Sequence, residues 1–306
     1  MAEIIGDAAA ARLKARLRSQ GPAALALFPA MVIVVVAYLG AMIWTIRLSF
    51  TSTKMLPVLD WVGFQQYDRL FHTERFIDSI GHIVVFGILF IAGCLLLGFL
   101  LAVFIDQHVR MESAFRTIFL YPYSMSFVVT GLVWQWFLNP GLGLQKIVRD
   151  LGFGSFTFDW IVNQDMVVYA LVLAAIWQAS GLVMALMLAG LRGVDVELWR
   201  ATRIDAIPAW RVYVSIILPI IAPMVVTATV LLATAVAKLY DLVVAMTQGG
   251  PGISSEVPAK FIMDNLLERS NVGLGSAAAT VLLVTVIAAL SPWIYMQAIR
   301  TRGAHR

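Results

Sequence analysis

The chain has 306 residues, of which 60% are hydrophobic and only 13% are charged. Soluble domains carry about a quarter charged residues, so this composition excludes an ordinary soluble protein and indicates an integral membrane protein. The net charge is +4, but the basic residues are spread over short connections rather than gathered on one face, which argues against a nucleic-acid-binding surface. The single cysteine, Cys94, lies in an apolar run, which excludes an intrachain disulfide and a cysteine-based metal site.

Long apolar runs predict six membrane-spanning helices. After a basic, alanine-rich segment at 1–22, the first run covers 23–46. It is long enough to span the bilayer, and no small-residue cleavage pattern follows it, so we expect a retained span rather than a signal peptide. A polar connection with one or two short helices separates it from the second span, 80–105.

The third run, 117–138, contains Pro122 within its first turns. Proline in a membrane helix needs neighbours that satisfy the freed backbone groups, so we expect a kink that faces protein. A turn sequence at 139–143 ends this run. The remaining spans are expected at 166–191, 214–244 and 275–299, the fifth with a kink near Pro219 and Pro223.

Six spans place both termini on one side of the membrane, and the distribution of lysine and arginine residues indicates which side that is. The N-terminal segment, the connections at 106–116 and 192–211, and the C-terminal tail hold thirteen of the 22 basic residues, whereas the opposite connections hold seven. Cytoplasmic segments carry the excess of basic residues in membrane proteins. We therefore expect both termini and the connection at 192–211 to be cytoplasmic.

The connection between spans four and five, 193–211, is too polar for the hydrocarbon layer. Asp195 or a neighbour can cap a short helix there, with an acid in its first turn and arginines later, and Pro208 is expected to end it. Helical spacing predicts that one face of this helix, with small and apolar residues, is made of Leu198, Ala201, Ile204 and Asp205. Such a helix is either an ordinary surface helix or one that docks in a groove of another protein.

This connection and the start of span five resemble the cytoplasmic signature of permease subunits of binding-protein-dependent ABC importers. In the sugar-importing branch the signature runs approximately E-L-x-E-A-A-x-I-D-G-A-x-x-W-x-x-F-x-x-I-x-L-P-x-x-x-P. The matching residues are Glu197, Leu198, Ala201, Ile204, Asp205, Trp210, Ile216, Leu218, Pro219 and Pro223. Three positions differ from the pattern: Arg200 replaces a glutamate, Thr202 the second alanine, and Ala206 the glycine.

Two further stretches extend the resemblance to sugar permeases. The stretch 115–122 is similar to that family's approach to its third core helix, and 239–251 is similar to its T-x-G-G-P loop after the fifth. The sequence FVVTGLVWQWFLNPGLGL is similar to permeases of glucose and glucoside importers.

The resemblance implies an all-α membrane protein with the type I ABC importer permease fold. It implies a six-helix transmembrane domain at 23–299, with a coupling helix in the loop 193–211, between a cytoplasmic segment at 1–22 and a cytoplasmic tail at 300–306. The coupling helix would contact an ATPase subunit through Glu197, Leu198, Arg200, Ala201, Ile204, Asp205 and Ala206.

The implied partners are a second, similar permease, two ATPase subunits, a periplasmic solute-binding protein and a sugar or glycoside, in the lipid of a bacterial inner membrane. The chain has no G-x-x-x-x-G-K-[ST] phosphate loop. ATP and Mg²⁺ are therefore expected in the partner ATPase, and no catalytic residue, cofactor or metal site is expected in this chain.

A polar stripe near the end of span five is a candidate for the solute pathway. Thr227, Thr234 and Asp241 repeat every seven residues and Lys238 follows Thr234 by four, so all four share one side of a continuous helix. Ionisable side chains at membrane depth usually face the bundle interior or an aqueous cavity. The alternative is an ion pair between Lys238 and Asp241 at the outer water interface.

Other polar side chains that can hydrogen-bond a hydroxylated solute are Gln135 in span three and Gln178 with Ser180 in span four. Single glutamines also join membrane helices to one another, so that alternative stays open. Aromatic residues able to stack on a sugar ring lie close in sequence, namely Trp134, Trp136, Trp177 and Tyr240.

Two other functions remain as alternatives. A secondary transporter would use an intramembrane charged site such as Asp241, but no internal repeat is visible. An intramembrane enzyme would need a motif such as H-E-x-x-H or G-x-S-x-G, and neither occurs in the sequence.

Overall fold

The structure is a computed structural model that describes residues 26–54, 60–107 and 109–303, with side chains described as far as Ala289 and again at Ser291. The predicted N-terminal segment 1–22 lies outside the described residues, as do 304–306 of the predicted tail. The described part is helical, apart from one isolated β-bridge between Thr51 and Trp61. The predicted all-α class is confirmed.

Helices follow one another through short connections along the described chain. The first half contains α1 (Ala26–Leu48), α2 (Gln65–Phe71), α3 (Glu74–Asp106), α4 (Glu112–Leu120), α5 (Phe127–Phe137) and α6 (Leu144–Asp150). The second half contains α7 (Val167–Arg192), α8 (Val196–Ile204), α9 (Ala209–Ile220), α10 (Ala222–Ala237), α11 (Asp241–Met246), α12 (Pro258–Met263) and α13 (Val272–Gly303).

Four helices of the described chain, α1, α3, α7 and α13, are each long and apolar enough to cross a membrane, and two bent pairs raise the number of spans to six. The predicted spans one, two, four and six lie on these four helices. Helix α3 begins six residues before the predicted span, because its first turns pack against α2 and α12. The chain is therefore a multi-pass membrane protein.

The third predicted span is broken rather than kinked. Helix α4 runs into a 3₁₀ turn at Tyr121–Ser124 that contains Pro122, and Met125 is extended before α5 begins, so α4 and α5 meet at 100°. The Ser126 hydroxyl caps α5 by accepting a hydrogen bond from the Val129 amide at 3.3 Å. The prediction located this bend at Pro122 but missed how sharp it is.

The fifth predicted span bends by 73° between α9 and α10. The bend lies at Ile221, between Pro219 and Pro223, which confirms the predicted position of the kink. The predicted continuity through residue 244 is wrong, because α10 ends at Ala237 and Tyr240 leaves the helical region with φ −132° and ψ −59°.

Helix α7 is the centre of the main core. Its side chains are buried along most of the circumference, among them Leu171, Val183, Met184 and Met187, and they pack against α3, α4, α10 and α11. Glycine at position 181 lets the α4 backbone approach, since a Cβ there would lie 1.9 Å from the Phe119 carbonyl oxygen. The core thus holds both arms of the broken third span against α7.

A second, smaller core lies where α2, α12 and the first turns of α3 and α13 meet. Its buried side chains are Leu70, Phe76, Phe261, Ile262, Leu274, Ala277 and Ala278. The rings of Phe76 and Phe261 lie 5.3 Å apart. This second core ties the 249–271 connection to the start of α3.

Candidate functional site

Helix α8 is a short, capped helix between α7 and α9. The Asp195 carboxylate accepts a hydrogen bond from the Glu197 amide at 2.9 Å, which confirms the predicted cap. The helix ends at Ile204, earlier than the predicted stop at Pro208, which instead precedes α9. Ala206 takes a left-handed backbone conformation, with φ 49°, in the turn that follows α8.

One side of α8 packs on the body of the protein. Thr202 is buried and donates its hydroxyl to the Trp199 carbonyl at 3.0 Å. Leu198 and Trp199 are half-buried against the main core, and the Trp199 ring meets the Tyr213 ring edge to face at 5.6 Å. Leu198 therefore lies at the border between this packed side and the side that carries Ala201 and Ile204.

The other side of α8 is open to solvent. Ile204 is 83% exposed, so its large apolar side chain is open to solvent. The other predicted contact residues on this side are also exposed, namely Glu197, Arg200, Ala201, Asp205 and Ala206. We call these six residues the docking face of α8.

Polar contacts join the region beneath α8 to the ends of three other helices. The Gln107 amide donates to the Tyr213 hydroxyl at 2.8 Å, which links the end of α3 to α9. Arg192 at the end of α7 pairs with Glu112 of α4 at 2.7 Å and with Asp106 of α3 at 3.8 Å. Tyr213 and Arg192 thus join the ends of α3, α4, α7 and α9 to one another.

The polar residues predicted for the solute pathway in span five are exposed or half-exposed. Thr227, Thr234, Lys238 and Asp241 are exposed, and Tyr240 is half-buried. Within the described residues, no ion pair joins Lys238 to Asp241, so the ion pair given above as the alternative to a solute pathway is absent from this conformation. The break after Ala237 also separates Asp241 from the helical stripe of the two threonines.

The two predicted glutamines have different surroundings. Gln178 is buried, and its amide donates to the Met125 carbonyl at 2.8 Å, across the break between α4 and α5. Gln135 is half-buried on α5 and lines an open crevice beside Thr247 and Gln248. Trp134 and Trp177 contact each other, with ring centroids 5.9 Å apart.

A buried charge network beside the second, smaller core was not predicted from the sequence. Arg75 on α3 donates to Glu256 and to Asp264, and the Lys260 ammonium pairs with Asp264 at 2.8 Å. Burial raises the pKa of Glu256, a shift that the hydrogen bond and charge of Arg75 oppose. Only the Lys260 and Asp264 spacing of four was visible in the sequence, since Arg75 lies 181 residues from Glu256.

Bent spans and an exposed, capped helix between two spans are features that the sequence predicted for this chain. Residues 94–300 match the family described as binding-protein-dependent transport system inner membrane component. The chain belongs to this family and is the permease component of an ABC importer, as the signature at 197–223 predicted. This membership does not favour the alternative of a secondary transporter.

Known relatives cover nearly the whole chain. The chain is 34% identical over 273 residues to a "Probable ABC transporter permease protein" of Pyrococcus horikoshii, covering 89% of this chain and 94% of the relative. It is 30% identical to the xylose/arabinose import permease protein of Haloferax volcanii, over 87% of this chain and 84% of the relative.

A solved structure shares the fold. A chain of a bacterial ABC transporter involved in the import of the acidic polysaccharide alginate superposes with a TM-score of 0.79 at 19% identity, over 95% of this chain and 99% of that chain. The predicted type I ABC importer permease fold is confirmed.

Proposed function

We propose that this chain forms one half of the translocation path of an ATP-driven importer for a sugar or glycoside. The observation that carries the proposal is the docking face of α8, where an 83% exposed isoleucine stands on a helix whose other side is anchored to the core, an arrangement that suits a contact with another protein. The import of xylose and arabinose by a 30% identical relative supports a carbohydrate as solute.

The proposed partner at this face is an ATPase subunit, one of two in the complex, which binds ATP and Mg²⁺. Ile204 and Ala201 supply the apolar part of the contact, and Glu197, Arg200 and Asp205 supply polar groups around it. Closing of the two ATPase subunits would displace α8, and the contacts of Tyr213 and Arg192 would carry the displacement into the spans.

A second permease subunit would complete the path. None of the apolar stretch of α1 is buried in this chain, and Thr234, Lys238 and Asp241 are exposed. Charged side chains at membrane depth need water or a polar partner, so a facing subunit that encloses an aqueous cavity accounts for them. A periplasmic binding protein would deliver the solute to this cavity from outside.

The proposed orientation has both termini and α8 in the cytoplasm and the 249–271 connection outside. Single cysteines at Met111 and Glu268, in a Cys94→Ser background, test it without altering the count of basic residues. Both positions are exposed in the structure. An impermeant thiol reagent should label Glu268→Cys in intact cells and Met111→Cys only after lysis, and the reverse pattern would reject the orientation.

Transport itself is tested with the complex, purified with its co-expressed partner subunits and reconstituted in liposomes with its binding protein. Radiolabelled D-xylose, D-glucose and trehalose serve as probes. The proposal predicts uptake of at least one sugar that requires both ATP and the binding protein. Uptake of a sugar driven by an ion gradient without ATP would contradict it.

A further inference from the structure

A crevice in the outer part of the protein brings together three carboxamide side chains. Gln135 from α5, Asn139 from the turn after it, and Gln248 from the loop after α11 line a space of about 390 Å³, with Thr247 beside them and Pro140 and Pro251 among its apolar walls. We call this space the outer crevice. It is open on one side, so a solute can enter it.

The polar groups of the outer crevice are available to a ligand. Within the described residues, the side chains of Gln135 and Gln248 make no hydrogen bond to protein. The side-chain Oδ1 of Asn139 accepts hydrogen bonds from the Gly141 and Leu142 amides at 2.8 and 3.2 Å, which fixes the side chain and leaves its NH₂ group free. Among the residues that the structure describes, no charged side chain lines the space.

We propose that the outer crevice is a binding station for an uncharged, polyhydroxylated solute before it enters the translocation path, a role that rests on the proposed function. A carboxamide both donates and accepts, so three of them around one space match the hydroxyl groups of a sugar, which also donate and accept. Apolar walls with a few fixed polar groups are typical of small-molecule sites of this volume.

The loop that supplies Gln248 is held in shape by its own contacts. Gln248 and Gly249 have φ values of 52° and 88°. The Ser255 hydroxyl contacts Thr247 Oγ1 at 2.8 Å and donates to the Gly250 carbonyl at 2.7 Å. A site built on such a loop is organised before the solute arrives, which reduces the entropy cost of binding.

The buried charge network supports this loop from the other side. A Cβ at Gly249 would lie 2.9 Å from Lys260 Cε, so the lysine stem packs directly against the glycine. Lys260 pairs with Asp264, which also accepts from Arg75. The network thus links the outer crevice to α3 of the main bundle.

The outer crevice lies at one end of α11, and Asp241 lies at the other. Helix α11 has six residues, so at 1.5 Å per residue the two are separated by about 9 Å. A solute that leaves the crevice along α11 therefore reaches the exposed side chains of Lys238 and Asp241 next. The two groups of residues form successive steps of one path.

Protection of a cysteine at Gln248 from a thiol reagent tests the station. The complex with Gln248→Cys in a Cys94→Ser background is labelled with a maleimide in the presence of D-xylose, D-glucose or trehalose, and Ile253→Cys is the control, because Ile253 is exposed in the same loop outside the crevice. A transported sugar should slow labelling of Gln248→Cys severalfold and leave Ile253→Cys unchanged.

Uptake by Gln135→Met gives a second readout that does not depend on cysteine chemistry. Loss of one hydrogen bond to solute should raise the KM for sugar by about fivefold while the maximal uptake rate and the assembly of the complex stay unchanged. A purely structural role of Gln135 would lower the maximal rate or the amount of complex instead.

The outcomes separate the station from the function on which it rests. If the wild-type complex transports a sugar but that sugar protects neither cysteine and Gln135→Met keeps the wild-type KM, the station is overturned and the proposed function stands. If the complex transports none of the three sugars and none protects Gln248→Cys, both are overturned.

Discussion

Ala206 holds a backbone conformation that suits glycine. Its φ of 49° places it in the left-handed region, where a side chain costs roughly 1–2 kcal/mol. Glycine relieves this cost but makes the unfolded chain more flexible, which returns about 0.4–1 kcal/mol. The substitution Ala206→Gly should therefore raise the melting temperature of the purified complex slightly.

The matched control is Ala206→Val, since a β-branched side chain is least tolerated at positive φ. It should lower the melting temperature. A glycine variant less stable than the valine variant would show that the turn after α8 is not strained. The positive φ at this position thus gives a conformational reason for the glycine in the family signature.

Glu256 should make stability depend on pH. Its side chain is only 1% exposed, and burial raises its pKa above the ordinary 4.5, more than the nearby charges of Arg75 and Lys260 lower it. A carboxyl with a raised pKa in the fold contributes stability that is fully present below the ordinary value and is lost as the pH rises through the raised value.

The neutral variant Glu256→Gln isolates this contribution. Its melting temperature relative to wild type should increase as the pH rises from below 4.5 through the mildly acidic range, because only the wild type must ionise a buried carboxyl. A difference that stays constant over this range would show that Glu256 has the same pKa in the folded and unfolded protein.

Sequence patterns predicted the contacts of single residues well where the two partners lie close together in the chain. The Asp195 cap joins residues two apart in the chain and was recognisable from the sequence. The contacts of Arg75 to Glu256 and Asp264 join residues that are 181 and 189 positions apart in the chain. Single charged residues in a connection between helices do not indicate which distant residue they pair with. The separation of Lys238 from Asp241 was missed because Leu239 and its neighbours read as continuous helix.

Among the elements, α8 and α9 are connected chiefly through Tyr213. Its ring contacts Trp199 at 5.6 Å and Phe99 at 6.4 Å, and its hydroxyl accepts from Gln107 at 2.8 Å. We expect Tyr213→Phe, which keeps the ring, to transport nearly as much sugar per ATP hydrolysed as wild type. Tyr213→Leu removes the two ring contacts as well as the hydrogen bond and should lower this ratio severalfold.

The measurement compares uptake with ATP hydrolysis in the same liposomes, so a variant that merely assembles poorly loses both together and keeps its ratio. A wild-type ratio in Tyr213→Leu would show that α8 moves the spans by another route. The amount of assembled complex serves as the control for folding.

Hydropathy predicted the limits of a helix well where the whole span is one straight helix. Helix α7 begins and ends within one residue of its predicted limits. The bend at Pro122 and the end of α10 at Ala237 were not predicted in their full extent, because an apolar run resumes after each break, at 127–138 and at 242–246, so hydropathy alone indicates one continuous span.

At the scale of the whole molecule, the chain is organised as one part of an assembly. Helix α1 and the docking face of α8 are both exposed in the isolated chain. The central claim is that the docking face of α8 joins this permease to an ATPase.

The most direct test of that claim is the variant Ile204→Asp, with Leu151→Asp as control. Leu151 is also exposed and apolar but lies next to α6, away from α8. Burying a lone carboxylate against a partner costs several kcal/mol, so Ile204→Asp should release the ATPase subunit during purification or abolish ATP-dependent sugar uptake, whereas Leu151→Asp should do neither. Full recovery of the ATPase subunit together with wild-type uptake in Ile204→Asp would contradict the account.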